Sequence, residues 1–229
     1  MNDQCLSFHQ FKRLQDKDER EGMVPEGFWE SMQQSDSKPN AEENREKLLY
    51  FTYANCWSMS EHENVLMWKA HAPDGVAIKT TVGKLMGAEI TKFIDTELKG
   101  GSFLKLEQLT IEYADNWKEL EEKGYRHDEI PLNVLFLHLK QKAFHSEAEV
   151  RFRVSPPANF PQRPDGTFTS ANPANCPHWC PIVFKTLGWI NEVVTAPSTS
   201  DWAAKPISRI AKEKGLNFRP SGISLRKKG

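Results

Sequence analysis

The sequence predicts an α+β fold: a single mixed domain with a central, mostly antiparallel sheet flanked by helices. Three observations predict it. Helical and strand periods interleave along the chain without a βαβ rhythm. The stretch Leu132–Val154 (LNVLFLHLKQKAFHSEAEVRFRV) runs from one period into the other. No P-loop and no GxGxxG occurs, which argues against the common NTPase and dinucleotide-binding architectures.

Taken in order, residues 1–40 are polar and poorly periodic, so an irregular or partly ordered start is expected, with 35–40 (SDSKPN) as a linker or surface loop. Ala41–Leu49 reads as a short charged helix. Leu49–Trp57 (LYFTYANCW) reads as a strand, with Phe51, Tyr53, Asn55 and Trp57 on one face and Tyr50, Thr52, Ala54 and Cys56 on the other. Ser60 is an expected N-cap for a helix over Glu61–His71, and Pro73-Asp74-Gly75 is turn chemistry. Strands are expected at Gly75–Thr81 and within Leu104–Tyr113, followed by a charged helix and loop over Asp115–Ile130.

Leu132, Leu135, Phe136, Leu139 and Ala143 recur at helical spacing and predict a helix with one apolar face. Val150, Phe152 and Val154 then alternate with Glu149, Arg151 and Arg153, as in a half-buried strand. Residues 155–181 are rich in Pro, Asn and Ser and predict a long loop. A strand over Trp189–Thr195 precedes a helix over Asp201–Lys214, with Asp201 as N-cap, Pro206 near its start and Gly215 at the C′ position. Phe218–Leu225 reads as a final strand.

The 229-residue chain carries a net charge of −1, with no apolar run near the length that spans a bilayer and no apolar leader, so a cytoplasmic protein without membrane contact is expected. Lys205–Gly229 holds eight Lys/Arg and one acid, a local charge of +7 that leaves −8 for the remainder. Such a basic C-terminal segment suits an anionic partner, nucleic acid or an acidic protein; it equally suits a solvated helix face with a frayed tail. Cys176, His178 and Cys180 fall within five residues, but no second Cys/His pair completes a zinc set, so no metal is expected. Cys56 reads as a small buried hydrophobe.

Several pieces together resemble the bacterial domain-of-unknown-function family 2971. They are Asn55–Thr80 (NCWSMSEHENVLMWKAHAPDGVAIKT), Ile111–Asp115 (IEYAD), His138–Phe152 (HLKQKAFHSEAEVRF), Trp189–Leu216, and a late Ser224-Leu225. The distinctive parts are the Cys/Trp/Ser, Met-Trp and Gly-Val-Ala-Ile run and the later Lys140-x-x-x-Phe144-x-x-Glu147-x-Glu149-x-Arg151. Many members of that family begin with an aromatic-rich strand bearing a basic residue. Here only Cys5–Phe11 stands in that place. The resemblance implies a bacterial or phage protein, with bacterial–phage conflict as its setting, and brings no agreed catalytic residues.

Glu147 and Glu149 lie two apart at a strand start, so they are expected to share a face and repel, raising one pKa. The pair is similar to the Glu-x-Glu of ADP-ribosyltransferases. That resemblance implies NAD as substrate, Glu149 as the catalytic acid and Glu147 as the acceptor-activating one. Ser58 would be the central hydroxyl and His9 the early ribose-binding residue. Trp68 and Tyr113 are candidates to line the nucleotide pocket, Lys140 to meet a phosphate or pair with a carboxylate, and Arg151 to bind the substrate. The bland alternatives are an exposed Glu/Arg ladder on the strand, core packing for Trp68 and Tyr113, and a solvated helix lysine at 140. A non-catalytic module binding nucleic acid or protein is the competing function.

Overall fold

The computed structural model describes residues 5–17, 27–28, 49–50, 52–93, 96–97, 106–126, 137–154 and 178–223. In chain order its first elements are β1 (Cys5–Gln10), α1 (Phe11–Lys17), β2 (Tyr53–Ser58), α2 (Val65–His71), β3 (Val76–Lys79), α3 (Val82–Met86), β4 (Ile90–Phe93) and β5 (Thr96–Glu97). Next come β6 (Leu106–Thr110), β7 (Glu112–Tyr113), α4 (Trp117–Glu122), β8 (Leu139–Lys140), a 3-10 helix over Lys142–Glu147, and β9 (Glu149–Val154). Last are β10 (Trp179–Phe184), β11 (Glu192–Thr195), α5 (Asp201–Glu213) and β12 (Asn217–Pro220). The class is mixed α+β with a large, mostly antiparallel sheet, as the interleaved periods predict.

The chain forms two compact units. The larger takes its described residues from Cys5–Met59 and Lys92–Ile182, the smaller from Ser60–Thr91 and Val183–Gly229, so the division falls inside β4 and β10. No helix among the described residues is long and apolar enough to cross a membrane.

The larger unit is built on a seven-stranded sheet of order β5-β4-β10-β1-β2-β9-β6. Its centre is antiparallel: β2 pairs β9 from Tyr53↔Val154 to Ser58↔Glu149, and β6 pairs β9 from Leu106↔Val154 to Thr110↔Val150. The alternation expected for Leu49–Trp57 holds from Tyr53 onward, while Leu49 and Tyr50 are helical and Phe51 lies outside the described residues. One face carries Tyr53, Asn55 and Trp57 opposite Val154, Phe152 and Val150, with Trp57 edge-on to Phe152 at 6.4 Å. The other carries Ala54, Cys56 and Ser58 opposite Arg153, Arg151 and Glu149. Phe11, Leu49 and Leu137 pack with Ala54 and Leu109 on that second face. It is therefore covered, and β9 is buried on both sides rather than half-buried. Cys56 is exposed, against expectation, although Arg151 opposite it is fully buried.

The start of the chain is not irregular throughout. Cys5–Gln10 is strand β1, paired antiparallel to β2 with His9↔Ala54 and Gln10↔Tyr53. Phe8 and Phe11 are fully buried there, which a polar composition had masked. The expected strand Leu104–Tyr113 is split: β6 joins the large sheet, whereas β7 forms a separate parallel pair with β8 (Glu112↔Leu139, Tyr113↔Lys140). That pairing cuts short the helix expected over Leu132–Ala143: Leu137 and His138 are helical, Leu139 and Lys140 are strand, and residues 132–136 lie outside the described set. Asn116 caps α4 through its side chain, and Trp117 and Leu120 pack with Phe28, Ala114 and Leu139. The loop expected over 155–181 is described only from His178, and its end is already strand β10.

The smaller unit holds a three-stranded sheet, β12-β11-β3, with β11 antiparallel to β3 and parallel to β12. Trp68, Val194 and Ala196 form its core with Ala72, Ala77 and Ile223. Its first helix starts later than expected, because Asn64 rather than Ser60 caps it by accepting the Leu66 N–H at 2.8 Å. Gly75 turns the chain beneath that helix, and a Cβ there would meet the Ala72 Cβ at 3.0 Å. The last helix matches its prediction within a residue, with Ser200 at the N-cap and Gly215 at φ 68°.

Candidate functional site

The stretch that drew attention in the sequence does gather charged groups, by a route its periodicity did not suggest. Tyr113 ends β7 opposite Lys140 of β8. The Ala114 N–H donates to the Lys140 carbonyl at 3.0 Å, and the Lys142 N–H donates to Asp115 Oδ1 at 3.1 Å. These bonds fix where the 3-10 helix begins. It ends at Ala148, whose φ of 45° and ψ of 54° are left-handed, an uncommon choice for a residue with a Cβ. The kink breaks strand alternation between Glu147 and Glu149. Glu147 closes the 3-10 helix and Glu149 opens β9.

The two carboxylates do not simply repel. Lys140 Nζ donates to Glu147 at 2.6 Å and to Glu149 at 2.7 Å, so one ammonium bridges both. Arg151 Nε donates to the other oxygen of Glu149, and its Nη1 donates to the Leu137 carbonyl at 3.1 Å. The Arg151 guanidinium also lies over the Phe11 ring, 5.1 Å from its centroid. Arg151 is 0% exposed and Glu149 is 7% exposed, so the exposed Glu/Arg ladder is overturned. Arg153 pairs instead with Glu107 of β6.

For Glu149 the expected rise in pKa is overturned as well. Burial pushes the Glu149 carboxyl up, but Arg151 and then Lys140 more than reverse this, holding it at about 2. Tyr113 is moved the other way: burial raises its phenol, with the nearby Glu149 charge adding to the rise. Its hydroxyl oxygen accepts the Glu149 N–H at 2.8 Å, and its ring meets His145 edge-on at 5.1 Å. Ser58 stands directly across from Glu149 in the β2–β9 register, and its hydroxyl donates to the Glu147 carbonyl at 2.9 Å. Lys140 is thus neither helical nor solvated; its side chain is 11% exposed and its ammonium lies 5.0 Å from the Phe144 ring centroid.

Six of the residues singled out from sequence therefore meet: Ser58, Tyr113, Lys140, Glu147, Glu149 and Arg151. Two do not join them. His9 faces Ala54, four positions along β2 from Ser58, a separation of roughly 13 Å at the usual strand rise. Trp68 belongs to the smaller unit, where it is buried in the core and its indole N–H donates to Glu63 at 3.0 Å.

That Glu63 is a site sequence reasoning missed. Its carboxylate accepts from Arg219 Nη1 at 2.6 Å, the Gly222 N–H at 2.9 Å, Trp68 Nε1 and the Ser221 hydroxyl. Burial raises its pKa, and the bonds from Ser221, Arg219, Gly222 and Trp68 together lower it to about 2. No local pattern signalled this, since three of the four donors lie 156, 158 and 159 residues further along the chain.

Among the described residues no group of three His, Cys, Asp or Glu is arranged to hold a metal ion. Cys176 lies outside the described residues, Cys180 is buried on β10, and the His178 ring bonds to Arg13 Nη2. Comparisons with protein-family models, with curated proteins and with solved structures found no match.

Proposed function

We propose that the larger unit carries an ADP-ribosyltransferase-like site that takes NAD as substrate. Glu149 is the carboxylate facing the ribosyl cation, and Glu147 activates the acceptor. The observation that supports this reading is the convergence of Ser58, directly opposite Glu149, with a lysine that bridges both acids. Cleaving the bond between ribose C1′ and nicotinamide sends the electron pair out with nicotinamide and leaves positive charge on the sugar. A carboxylate with a pKa of about 2 is ionised at any working pH, which suits charge stabilisation rather than proton transfer. Glu147 is more open to solvent, with 26% of its side chain exposed, and suits accepting the proton that the acceptor loses. The NAD diphosphate is a competing partner for Lys140, and drawing that ammonium away leaves the acid pair more negative toward the sugar. The resemblance to family 2971 adds the setting, bacterial–phage conflict. His9 and Trp68 have no part in this reading.

A second reading is favoured by one observation: both oxygens of Glu149 already meet cations, and the group is almost fully buried. On that reading the cluster is a non-catalytic clamp joining β8 and the 3-10 helix to β9. Nicotinamide release from NAD separates the two. The enzyme reading expects release by the wild type and its loss in Glu149→Gln, with the fold retained by circular dichroism. The clamp reading expects no release at high protein concentration and a lower unfolding midpoint in Glu149→Gln.

A further inference from the structure

Helix α5 of the smaller unit uses one side for packing and leaves the other loaded. Ala203, Ala204, Ile207 and Ala211 are buried or half-buried. Trp202, Lys205, Arg209 and Lys212 are all exposed, and at 3.6 residues per turn they fall within an arc of about 80°. Trp202 is 77% exposed, so core packing does not account for it. Glu213 interrupts the stripe and reaches Arg209 at 3.9 Å, a weak surface pair.

A cleft of about 650 Å³ lies in the same unit at the C-terminal end of α5. Lys84, Lys185 and Lys214 line it with Thr186, Asn191 and Asn217, and no carboxylate does. Lys84 donates to Asn191 Oδ1 at 2.5 Å and, like Lys214, has no carboxylate partner among the described residues. Lys185 pairs with Glu89 at the surface. At the end of α5 the carbonyls of Ile210, Ala211 and Lys212 accept from the N–H groups of Lys214, Gly215 and Leu216, which leaves fewer acceptors to oppose an anion.

We infer that this surface binds single-stranded nucleic acid: Trp202 stacks on an unpaired base, Lys205, Arg209 and Lys212 track the phosphates, and the lysines of the cleft hold the phosphate that follows. Cations in a line call for a polyanion, and an exposed indole beside them calls for a base free to stack, which a duplex does not offer. From Trp202 to Lys212 the helix advances about 15 Å, a span of several nucleotides rather than of one. None of these residues belongs to the acid site, so the inference stands apart from the NAD reading.

The test is fluorescence anisotropy with a labelled oligonucleotide of about 12 pyrimidines, a length within the usual single-strand site sizes, over a salt series. Binding is expected to weaken steeply with salt, with a log–log slope of about −3 for four phosphate contacts. Trp202→Ala should weaken it at least about fivefold, the lower end for one stacked base. Arg209→Glu with Lys212→Glu should weaken it more than about tenfold and flatten the slope. Lys214→Glu should remove competition by inorganic pyrophosphate. All are exposed positions, so thermal midpoints should stay near wild type. Absence of binding up to about 100 µM at low salt, or affinities untouched by these variants, would overturn the inference. So would a Trp202→Ala protein that binds the oligonucleotide normally but changes its state of association, since the surface would then be a protein contact.

Discussion

Glu63 in the smaller unit and Glu149 in the larger are both held ionised down to about pH 2, by different chemistry. Around Glu63 three of the four donors are neutral and short: an indole, a hydroxyl and a backbone N–H. They are fixed by their elements and cannot leave without unfolding something. Around Glu149 the side-chain donors are cations on long stems, and one of them, Lys140, is shared with a second acid. A flexible ammonium can change partner, whereas a backbone amide cannot. The first arrangement therefore closes a structure, and the second is the kind a charged ligand can reopen.

The comparison breaks most visibly at Arg151. Truncating it to Met leaves Glu149 buried with Lys140 alone, and breaking a buried pair from one side costs about 3–5 kcal/mol. Denaturant midpoints should show that loss. Replacing both partners, Arg151→Met with Glu149→Leu, should recover much of it, because two apolar groups leave no orphaned charge. If the double variant is no better than the single one, Arg151 acts through its bond to the Leu137 carbonyl and its contact with Phe11 rather than through Glu149.

At Glu63 the expected loss is smaller. Its side chain is 18% exposed, so water can replace part of what Glu63→Ala removes. A cost of about 2 kcal/mol is expected, since several donors lose a charged acceptor together. Hydrogen exchange should localise the change to α2 and β12. An unchanged exchange pattern would mean that the two elements do not need this carboxylate.

Acid titration sharpens the same contrast. The ordinary carboxyl value is 4.5 and the folded value is about 2 for each group, so the stabilisation is complete above about 4.5 and drains as pH falls toward 2. Each group contributes a slope of at most about 1.4 kcal/mol per pH unit in that window. Glu63→Gln should remove one such contribution and flatten the acid limb between about pH 4.5 and 2, while leaving the pH dependence above about pH 5 unchanged. An acid limb as steep as that of the wild type would show that Glu63 has no depressed pKa. Tyr113 works at the other end: its folded pKa lies above the ordinary 10, so the stability it brings is full below pH 10 and falls as pH rises through the folded value.

How much of this was legible follows from where the signals lie. Helix α5 was readable because its start, its period and Gly215 are all local. Strand β9 was readable by alternation, but its burial on both faces was not, because the cover comes from Phe11, Leu49 and Leu137. Lys140 was assigned to a helix because Leu132, Leu135, Phe136 and Leu139 keep a helical period. The pairing that overrides it, Tyr113↔Lys140, joins residues far apart in sequence. The acid pair was found by its spacing and its partners were not, since Arg151 looked like the polar half of an exposed strand. His9 was chosen for its place in the chain order, and only the register shows that it stands in another row.

The smallest expected effect lies at the kink that separates the two acids. Ala148 is the non-glycine residue with a positive φ among the described ones, and it accepts the Met59 N–H at 2.7 Å while donating to the His145 carbonyl at 3.1 Å. Those bonds hold the left-handed turn against a backbone cost of about 1–2 kcal/mol. Glycine removes that cost and adds some freedom to the unfolded chain, so Ala148→Gly should change stability by less than about 1 kcal/mol, in the stabilising direction. Ala148→Val, branched at Cβ, should destabilise by more than that. The pair of variants also tests the turn as a positioning device for Glu147. If nicotinamide release is present in the wild type, glycine should lower it while leaving the fold at least as stable, because a looser turn no longer holds Glu147 beside Lys140. Equal activity in the glycine variant would show that the position of Glu147 is set by Lys140 alone.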